Sequence, residues 1–265
     1  MRKILIFLVC MFFLNLSISL TFADGADAKI IYLKGQVKLQ RAKDTNWIVA
    51  KEGMAIKRGD RIRTFKFSAV KIATDKDAKN VIRIEQESEF LFEGIAVNKH
   101  KLFRGKVFAL LEALEPGSSF EVHTPTAVCG VAGSGIFVHT DGNKTTAGCH
   151  EDEAYAKGIK KDGSLTAERI IKEGHTCTIG KFKAPGPLIA LTRFEQKEWS
   201  RFREELSKLL ERLKGEMRSE ERKIIDRIKK LQDRSDKRIE IQRQDRFEKR
   251  EQEKREEVTR DLSTS

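Results

Sequence analysis

Of the four cysteines, Cys10 lies in the apolar N-terminal segment, and the other three, two of them close to histidines, are the residues with the most specific potential chemistry. Cys129, Cys149 and Cys177 are far apart along the chain; His150 follows Cys149, and His175 lies two residues before Cys177. In an oxidising compartment, two of three thiols are expected to pair. Alternation along their segments points Cys149 and Cys177 at the core, which predicts a Cys149–Cys177 disulfide. Cys129 is the alternative partner, and it can also stay a free thiol or cross-link two chains.

The same thiols and imidazoles could supply four ligands to a zinc ion. Adjacent residues of a strand point to opposite faces, however, so Cys149 and His150 cannot share a tetrahedral site. We therefore predict no metal and no cofactor. His100, His123 and His139 are isolated in the sequence, and we expect them at the surface or at the edge of the core.

Two other segments resemble reactive motifs but lack a necessary part. The glycine-rich run 130–135 is followed by Ile136 and Phe137, where a phosphate-binding loop needs Lys and Ser/Thr. The acidic run 151–153 lacks the ligand spacing of a calcium loop. We interpret them as a bulged turn and a solvated turn. The sequence therefore predicts no catalytic residue and no enzyme, and a secreted hydrolase with an unrecognised site stays the alternative.

The first 23 residues have the pattern of a secretory signal peptide. Arg2 and Lys3 precede an apolar run that begins at Ile4, and the small-x-small pattern 21–23 ends the segment. Its removal predicts a periplasmic or extracellular protein with no transmembrane span. Residues 4–22 are also long enough for an uncleaved anchor, which would make the protein a membrane-anchored signalling subunit.

The net positive charge of the chain suggests a nucleic-acid partner, but the distribution of the charged residues does not. The 265 residues carry 52 Lys and Arg against 40 Asp and Glu, a net charge of +12. Residues 194–265 hold 22 basic and 19 acidic residues interleaved in sign, and the remaining excess is spread thinly over the preceding half. Nucleic-acid binding needs clustered Lys and Arg. We therefore predict no nucleic-acid partner.

Residues 24–184 read as short strands separated by glycines. Apolar and polar residues alternate in the segments 37–40, 70–73, 81–85, 90–93, 106–109 and 120–123. Such alternation buries one face of each strand, and strands at this spacing without intervening helices are typical of a β-sandwich, barrel or solenoid. The fold class predicted for this half is therefore all-β.

A linker at 185–193, marked by Pro185 and Pro187, separates this half from a charged helical tail at 194–265. A stripe of apolar residues recurs mostly at steps of three and four, which predicts a long helix or coiled coil. The residues proposed to bind a partner are Leu206, Leu210, Leu213, Met217, Ile224 and Ile228. The stripe can join two copies of the chain, or the helix can fold back on the β half with Phe194, Trp199 and Phe202 as its docking turn.

The order of several short motifs resembles the FecR domain family over residues 31–179. They are a G-x-V strand, a hairpin with G-D-x-I-x-T, a strand after S-A, an L-x-x-G-x-V strand, F-x-V-x-T-P-x-A, and a final strand after a glycine turn. In this chain they occupy residues 35–37, 53–64, 68–72, 102–107, 120–128 and 133–138. The chain departs from the family at 132–135, where an R-G-T sequence is usual.

The resemblance implies an extracytoplasmic β domain of an envelope or secreted protein. Relatives of this kind include anchored regulators with a cytoplasmic anti-sigma segment. Only residues 1–3 precede the apolar run here, so we expect no such segment and do not carry over the sigma-regulating role. The sequence predicts an exported binding or scaffold protein whose partner is an envelope protein, a cell-wall polymer or a second copy of itself.

Overall fold

The computed structural model describes residues 27–95, 98–114, 119–131 and 135–263, with side chains through residue 230 and at 232. These residues are mainly β and end in one long helix, as predicted. The predicted signal peptide, residues 1–23, lies outside the described residues. The chain divides into two compact units, the first ending at Ser207 and the second beginning at Lys208. The first unit thus extends past the boundary at 194 that composition suggests, because Trp199, Phe202 and Leu206 are buried.

Short strands fill the first unit, and their inner faces form its core. The strands are β1 Ala28–Lys34, β2 Val37–Gln40, β3 Trp47–Val49, β4 Ala55–Ile56, β5 Arg61–Thr64, β6 Ala69–Ala73, β7 Asn80–Ile84, β8 Glu89–Leu91, β9 Lys99–Leu111, β10 Phe120–His123, β11 Ala127–Val131, β12 Gly135–Thr140, β13 Lys144–Glu151, β14 Glu153–Gly158, β15 Arg169–Lys172, β16 His175–Gly180 and β17 Ile189–Ala190. Alternate residues of these strands join one hydrophobic cluster, which is the packing of a β-sandwich.

Backbone pairing arranges the strands in two sheets that share β9. Sheet A has the order β4-β1-β6-β7-β9-β12-β13-β16-β17, and sheet B the order β3-β2-β5-β8-β9-β10-β11-β14-β15. Within the described strands, β9 and β10 pair in parallel and the other pairs are antiparallel. The first half of β9 belongs to sheet B and the second half to sheet A.

Strand β9 changes sheet at Gly105, which has a φ of 91°. A β-carbon there would lie 2.5 Å from the Cα of Ser88, so only glycine fits. The Ser88 hydroxyl accepts a hydrogen bond from the Lys106 N–H at 3.0 Å. Gly35, between β1 and β2, has the same arrangement with Ser68. Both glycines belong to the motifs quoted above, so those motifs encode the passage of the chain between the two sheets.

The helix α1 runs from Arg193 to Ser263. A capping box begins it: the Glu195 carboxylate accepts the Thr192 N–H at 2.7 Å, and the Thr192 hydroxyl accepts the Glu195 N–H at 3.2 Å. The segment predicted as a linker is partly ordered as β17, which pairs with β16. In the second unit, the ion pairs Arg212–Glu216 and Lys223–Glu220 lie along the exposed helix. A coiled coil stays a prediction.

Candidate functional site

The outward side chains of sheet A are covered by the first turns of α1, and we call this surface the covered face. Phe108 of β9 and Phe137 of β12 lie side by side on it. The Phe108 ring is 6.2 Å from the Trp199 ring and 5.9 Å from the Phe202 ring, and His150 stacks on Trp199 at 4.7 Å. Trp199 and Phe202 are buried as a result. The docking turn expected from the sequence is thus confirmed for these two residues.

Phe194, the third residue expected in the docking turn, is 70% exposed. It lies in the first turn of α1, five and eight residues before the two buried aromatic rings. The expectation is therefore wrong for Phe194, whose ring stays largely exposed while the two later rings are buried.

A single carboxylate joins two cations on the covered face. Glu205 of α1 accepts a hydrogen bond from Lys71 of β6 at 3.1 Å and from Arg83 of β7 at 2.9 Å. The Lys71 side chain is only 2% exposed. Burial lowers the pKa of Lys71, against the opposing effect of Glu205. A buried cation without its carboxylate is costly, so Glu205 fixes the position of α1 on the sheet.

Two further polar contacts fasten the same helix turns. Lys106 lies 2.6 Å from Glu198, with its ammonium 4.7 Å from the Phe108 ring centre. Glu151 accepts hydrogen bonds from the Trp199 indole at 3.2 Å and from Arg203 at 2.8 Å. Glu151 was expected in a solvated turn, and the structure corrects this: it anchors the helix.

His150 stays neutral within this contact. Burial, with a smaller effect of the nearby Lys106 ammonium, lowers the pKa of His150 to about 4. The imidazole stacks on the Trp199 ring at an interplanar angle of 4°, and its removal from water in this contact disfavours the charged form. The covered face therefore disfavours protonation of this histidine.

A cleft of about 710 Å³ opens beside the start of α1. Five carboxylates line it. Glu85 pairs with Arg83 at 2.7 Å, Glu198 pairs with Lys106, Glu195 caps the helix, Asp141 accepts two backbone N–H groups of its own turn, and Glu87 is the fifth. Burial raises the pKa of Glu85. Among the described residues no group of three or more His, Cys, Asp and Glu could hold a metal ion. The cleft therefore offers no evident set of reacting groups.

Within the described residues of the first unit, the turns of α1 contact sheet A, and the outward side chains of sheet B lie on the other side of the sandwich; we call this second surface the open face. Arg63 lies over the Trp47 ring at 4.3 Å, and Arg61 lies over the Phe103 ring at 4.8 Å. Glu89 sits between the two guanidinium groups, 2.9 Å from Arg63 and 3.5 Å from Arg61. These five residues form a basic-aromatic stack across strands β3, β5, β8 and β9.

A second polar cluster lies further along the open face. Glu121 accepts hydrogen bonds from the Tyr155 hydroxyl at 2.8 Å and contacts the His123 ring nitrogen at 2.7 Å. Burial acts to raise the pKa of Glu121, but the bonds from His123 and Tyr155 outweigh it and lower that pKa. Burial, and then the bond to Glu121, raises the pKa of Tyr155. The cluster is a satisfied surface network.

The predicted Cys149–Cys177 disulfide is absent from the structure, where Cys129, Cys149 and Cys177 are all buried free thiols. The register explains this: Cys177 is directly opposite Ala147, and Cys149 is opposite His175. The two cysteines are therefore diagonal neighbours, roughly 7–8 Å apart, and a disulfide needs its β-carbons within about 4.5 Å. The Cys149 thiol donates instead to the carbonyl of Glu151 at 3.2 Å. Burial raises the pKa of Cys149 and of Cys177 to about 11.

One of the isolated histidines is in a different place from that expected. His100 is fully buried, because alternation along β9 places it beside Leu102 on the inner face. Burial lowers its pKa to about 3. Its Nδ1 accepts the Glu93 N–H at 3.2 Å, and the Phe92 ring stacks on it at 4.9 Å. The expectation of a surface or core-edge position is therefore wrong for His100.

The predicted partner-binding stripe is split by the structure. Leu206 is buried in the first unit, whereas Leu210, Leu213 and Met217 are half-buried residues of the second. Ile224 and Ile228 are 54% and 44% exposed. Only the last part of the stripe is thus a largely exposed apolar surface, and Ile225, which the sequence did not single out, is exposed beside it at 45%.

The similarity of this chain to known proteins is confined to solved structures. No protein-family model matches the chain, and no curated protein matches it. Two crystal structures of a candidate anti-sigma factor from Parabacteroides distasonis ATCC 8503 are similar, both at 11% identity. The first has a TM-score of 0.41, and the match covers 54% of this chain and 64% of that chain. The second has a TM-score of 0.40, and the match covers 52% of this chain and 61% of that chain. The chain thus spans less than two thirds of that protein's length, and similarity at this level says nothing about function.

Proposed function

We propose that the protein is an exported, non-catalytic binding or scaffold protein of the envelope, built on a FecR-like β domain. The motifs that resemble FecR domains support the domain type, since Gly35, Gly105 and their serine partners place the chain in the two sheets. Asp60, from the hairpin motif, is buried and bonded to Arg41 at 2.6 Å and to the Lys57 N–H at 3.0 Å. These motif residues have structural roles and do not converge on a reaction centre.

The observation that carries the proposal is the contrast within α1. Its first turns are held to the covered face by apolar contacts and by buried ion pairs, as Trp199 and Glu205 illustrate. The second unit instead exposes Ile224, Ile225 and Ile228, three large apolar side chains close together on a charged helix. Such an exposed group on a helix favours association with another surface. A second copy of the helix, an envelope protein and a cell-wall polymer are the partners that fit the proposal.

In this proposal the two units have different roles. The β unit is the folded module that holds the base of the helix, and the second unit offers the surface for assembly. Within the residues that the structure describes, no helical stretch is both long and apolar enough for a bilayer span. The proposal places the protein in the periplasm or outside the cell, with residues 1–23 removed.

Association can be tested by measuring molar mass against concentration with light scattering after size exclusion. The triple variant I224S/I225S/I228S should lower the mass or weaken its concentration dependence. The matched control E221S/R222S/K229S changes three exposed residues of the same stretch and should leave the mass unchanged. The same pair of variants should differ in retention of envelope proteins. Equal behaviour of the two variants contradicts the proposal.

Two further measurements separate this proposal from its alternatives. Sequencing of the mature N-terminus should start at Asp24, and an intact apolar segment would favour an anchored signalling subunit. Incubation of the purified protein with wall polymers should show no turnover. Release of soluble fragments would instead identify a hydrolase.

A further inference from the structure

The open face has an excess of positive charge on its central strands. The outward side chains of β2, β5, β8, β9 and β10, together with the segment that follows β8, include three carboxylates: Glu89, Glu93 and Glu121. Five cations lie among them: Lys38, Arg61, Arg63, Lys99 and Lys101. Lys101 pairs with Glu93 at 3.6 Å, and two positive charges remain in excess of the carboxylates. The face therefore attracts anions, and the attraction depends on ionic strength.

The two arginines are held in place and still accessible. The Arg63 guanidinium lies over the Trp47 ring and the Arg61 guanidinium lies over the Phe103 ring. Glu89 accepts a hydrogen bond from each arginine. Their side chains nevertheless keep 32% and 40% of their surface exposed. Glu89 engages one N–H of each guanidinium group and the Nε–H of Arg63 is buried, so the remaining terminal N–H groups are the donors that a ligand can reach. Guanidinium groups of this kind are suited to binding carboxylates in the bidentate manner.

The shape of the face suits an extended ligand rather than a small one. From β3 to β9 the stack crosses four strand spacings, about 19 Å at about 4.8 Å each. The aromatic rings Trp47, Phe65 and Phe103 are half-buried along this distance. Partly exposed rings between cations provide flat apolar surface for the faces of sugar rings, and the cations bind acidic groups.

We propose that the open face binds a polysaccharide that carries carboxylate groups. The proposal rests on the binding function proposed above and assigns it a surface and a ligand chemistry. Arg61 and Arg63 bind the acidic groups, Lys38 and Lys101 extend the attraction along the polymer, and Trp47 and Phe103 contact the sugar rings. Every residue of this surface lies in the first unit, so it acts independently of the exposed isoleucines of α1.

The two tryptophans of the chain make the test local, because Trp47 belongs to the open face and Trp199 to the covered face. In the full-length W199F variant, Trp47 is the sole tryptophan, and polygalacturonate should change its fluorescence in a saturable manner. In W47F, the fluorescence of Trp199 should stay constant at the same polymer concentrations. Neutral dextran should affect neither. Changes confined to Trp199, or equal changes in both variants, overturn the proposal.

Charge-matched variants then test the arginines. R61Q/R63Q should weaken binding of polygalacturonate about 10-fold or more, since each lost guanidinium removes a charge-assisted bond. The control K160Q/K161Q removes the same charge from an exposed turn and should change binding by less than about 2-fold. Circular dichroism must show that each variant is folded. Equal weakening in both variants indicates attraction to net charge alone and overturns the proposal.

Two other polyanions serve as competitors. Vesicles of phosphatidylglycerol and single-stranded DNA, at matched charge and ionic strength, should compete with polygalacturonate only weakly. Tighter binding of either overturns the choice of a polysaccharide. If polygalacturonate fails to bind while the isoleucine variant of α1 still loses association, the inference fails and the proposed scaffold function stands.

Discussion

The two outer faces of the β unit carry nearly the same chemistry with different results. On each face a glutamate joins two cations: Glu205 holds Lys71 and Arg83 on the covered face, and Glu89 holds Arg61 and Arg63 on the open face. On the covered face the cations are 2% and 14% exposed, and on the open face 40% and 32%. The lesson is that burial decides the role: the same arrangement is structural beneath a helix and available for binding in solvent.

The largest effect expected from this contrast is on the aromatic residues. Phe202→Ala should lower the free energy of unfolding by about 3–5 kcal/mol, because a fully buried ring leaves a cavity. Trp47→Ala, on the open face, should cost only about 1 kcal/mol, since its ring is half-exposed. Urea unfolding followed by circular dichroism measures both. Equal losses would mean that the helix adds no stability to the covered face.

The paired glutamates give the next largest effect. Glu205→Gln leaves the buried Lys71 without a carboxylate and should cost about 1–3 kcal/mol. Glu89→Gln leaves two arginines that water can reach, and should cost about 1 kcal/mol or less. Repeating both comparisons with wild type at increasing salt provides the control, because only the loss caused by Glu89→Gln should shrink strongly with salt. The reverse order of losses would contradict the comparison.

A smaller effect is expected from pH. Burial lowers the pKa of His150 from 6.5 to about 4, so between these values the unfolded chain binds a proton that the folded chain does not. Stability should therefore fall as the pH falls through this window, by up to about 1.4 kcal/mol per pH unit for one group.

His150→Phe keeps a ring against Trp199 and removes this proton. It should flatten the fall in stability between pH 6.5 and 4, as measured by urea unfolding at each pH. His100, whose pKa is about 3, titrates in both proteins and cancels in the difference. Parallel curves for wild type and variant would show that His150 is freely protonated in the folded state.

The general fold was predictable from the sequence because alternation and turn glycines are local signals. The segments 37–40, 81–85 and 120–123 are strands, and Gly35 and Gly105 turn the chain as their motifs require. The charged, proline-free tail is helical for the same reason. These features depend on neighbours within a few residues, so one sequence contains the information for them.

The contacts on the two outer faces were not predictable, because they depend on strand register and on packing between residues that are far apart in the sequence. Nothing local identifies Glu151 or Lys71 as contacts of a helix that follows far along the chain. The register also decided against the cysteine pair, since Cys177 faces Ala147 rather than Cys149. Trp199 and Phe202 did give a signal, as aromatic residues where the tail begins.

Because α1 comes after every strand of the sandwich, the covered face closes last. Phe108 and Phe137 belong to strands completed by Thr140, and the rings that cover them follow about 60 residues later in the chain. Until then a nearly finished sheet presents an apolar surface to its surroundings. A newly made chain thus passes through a stage at which a chaperone can recognise it, and arrival of α1 ends that stage.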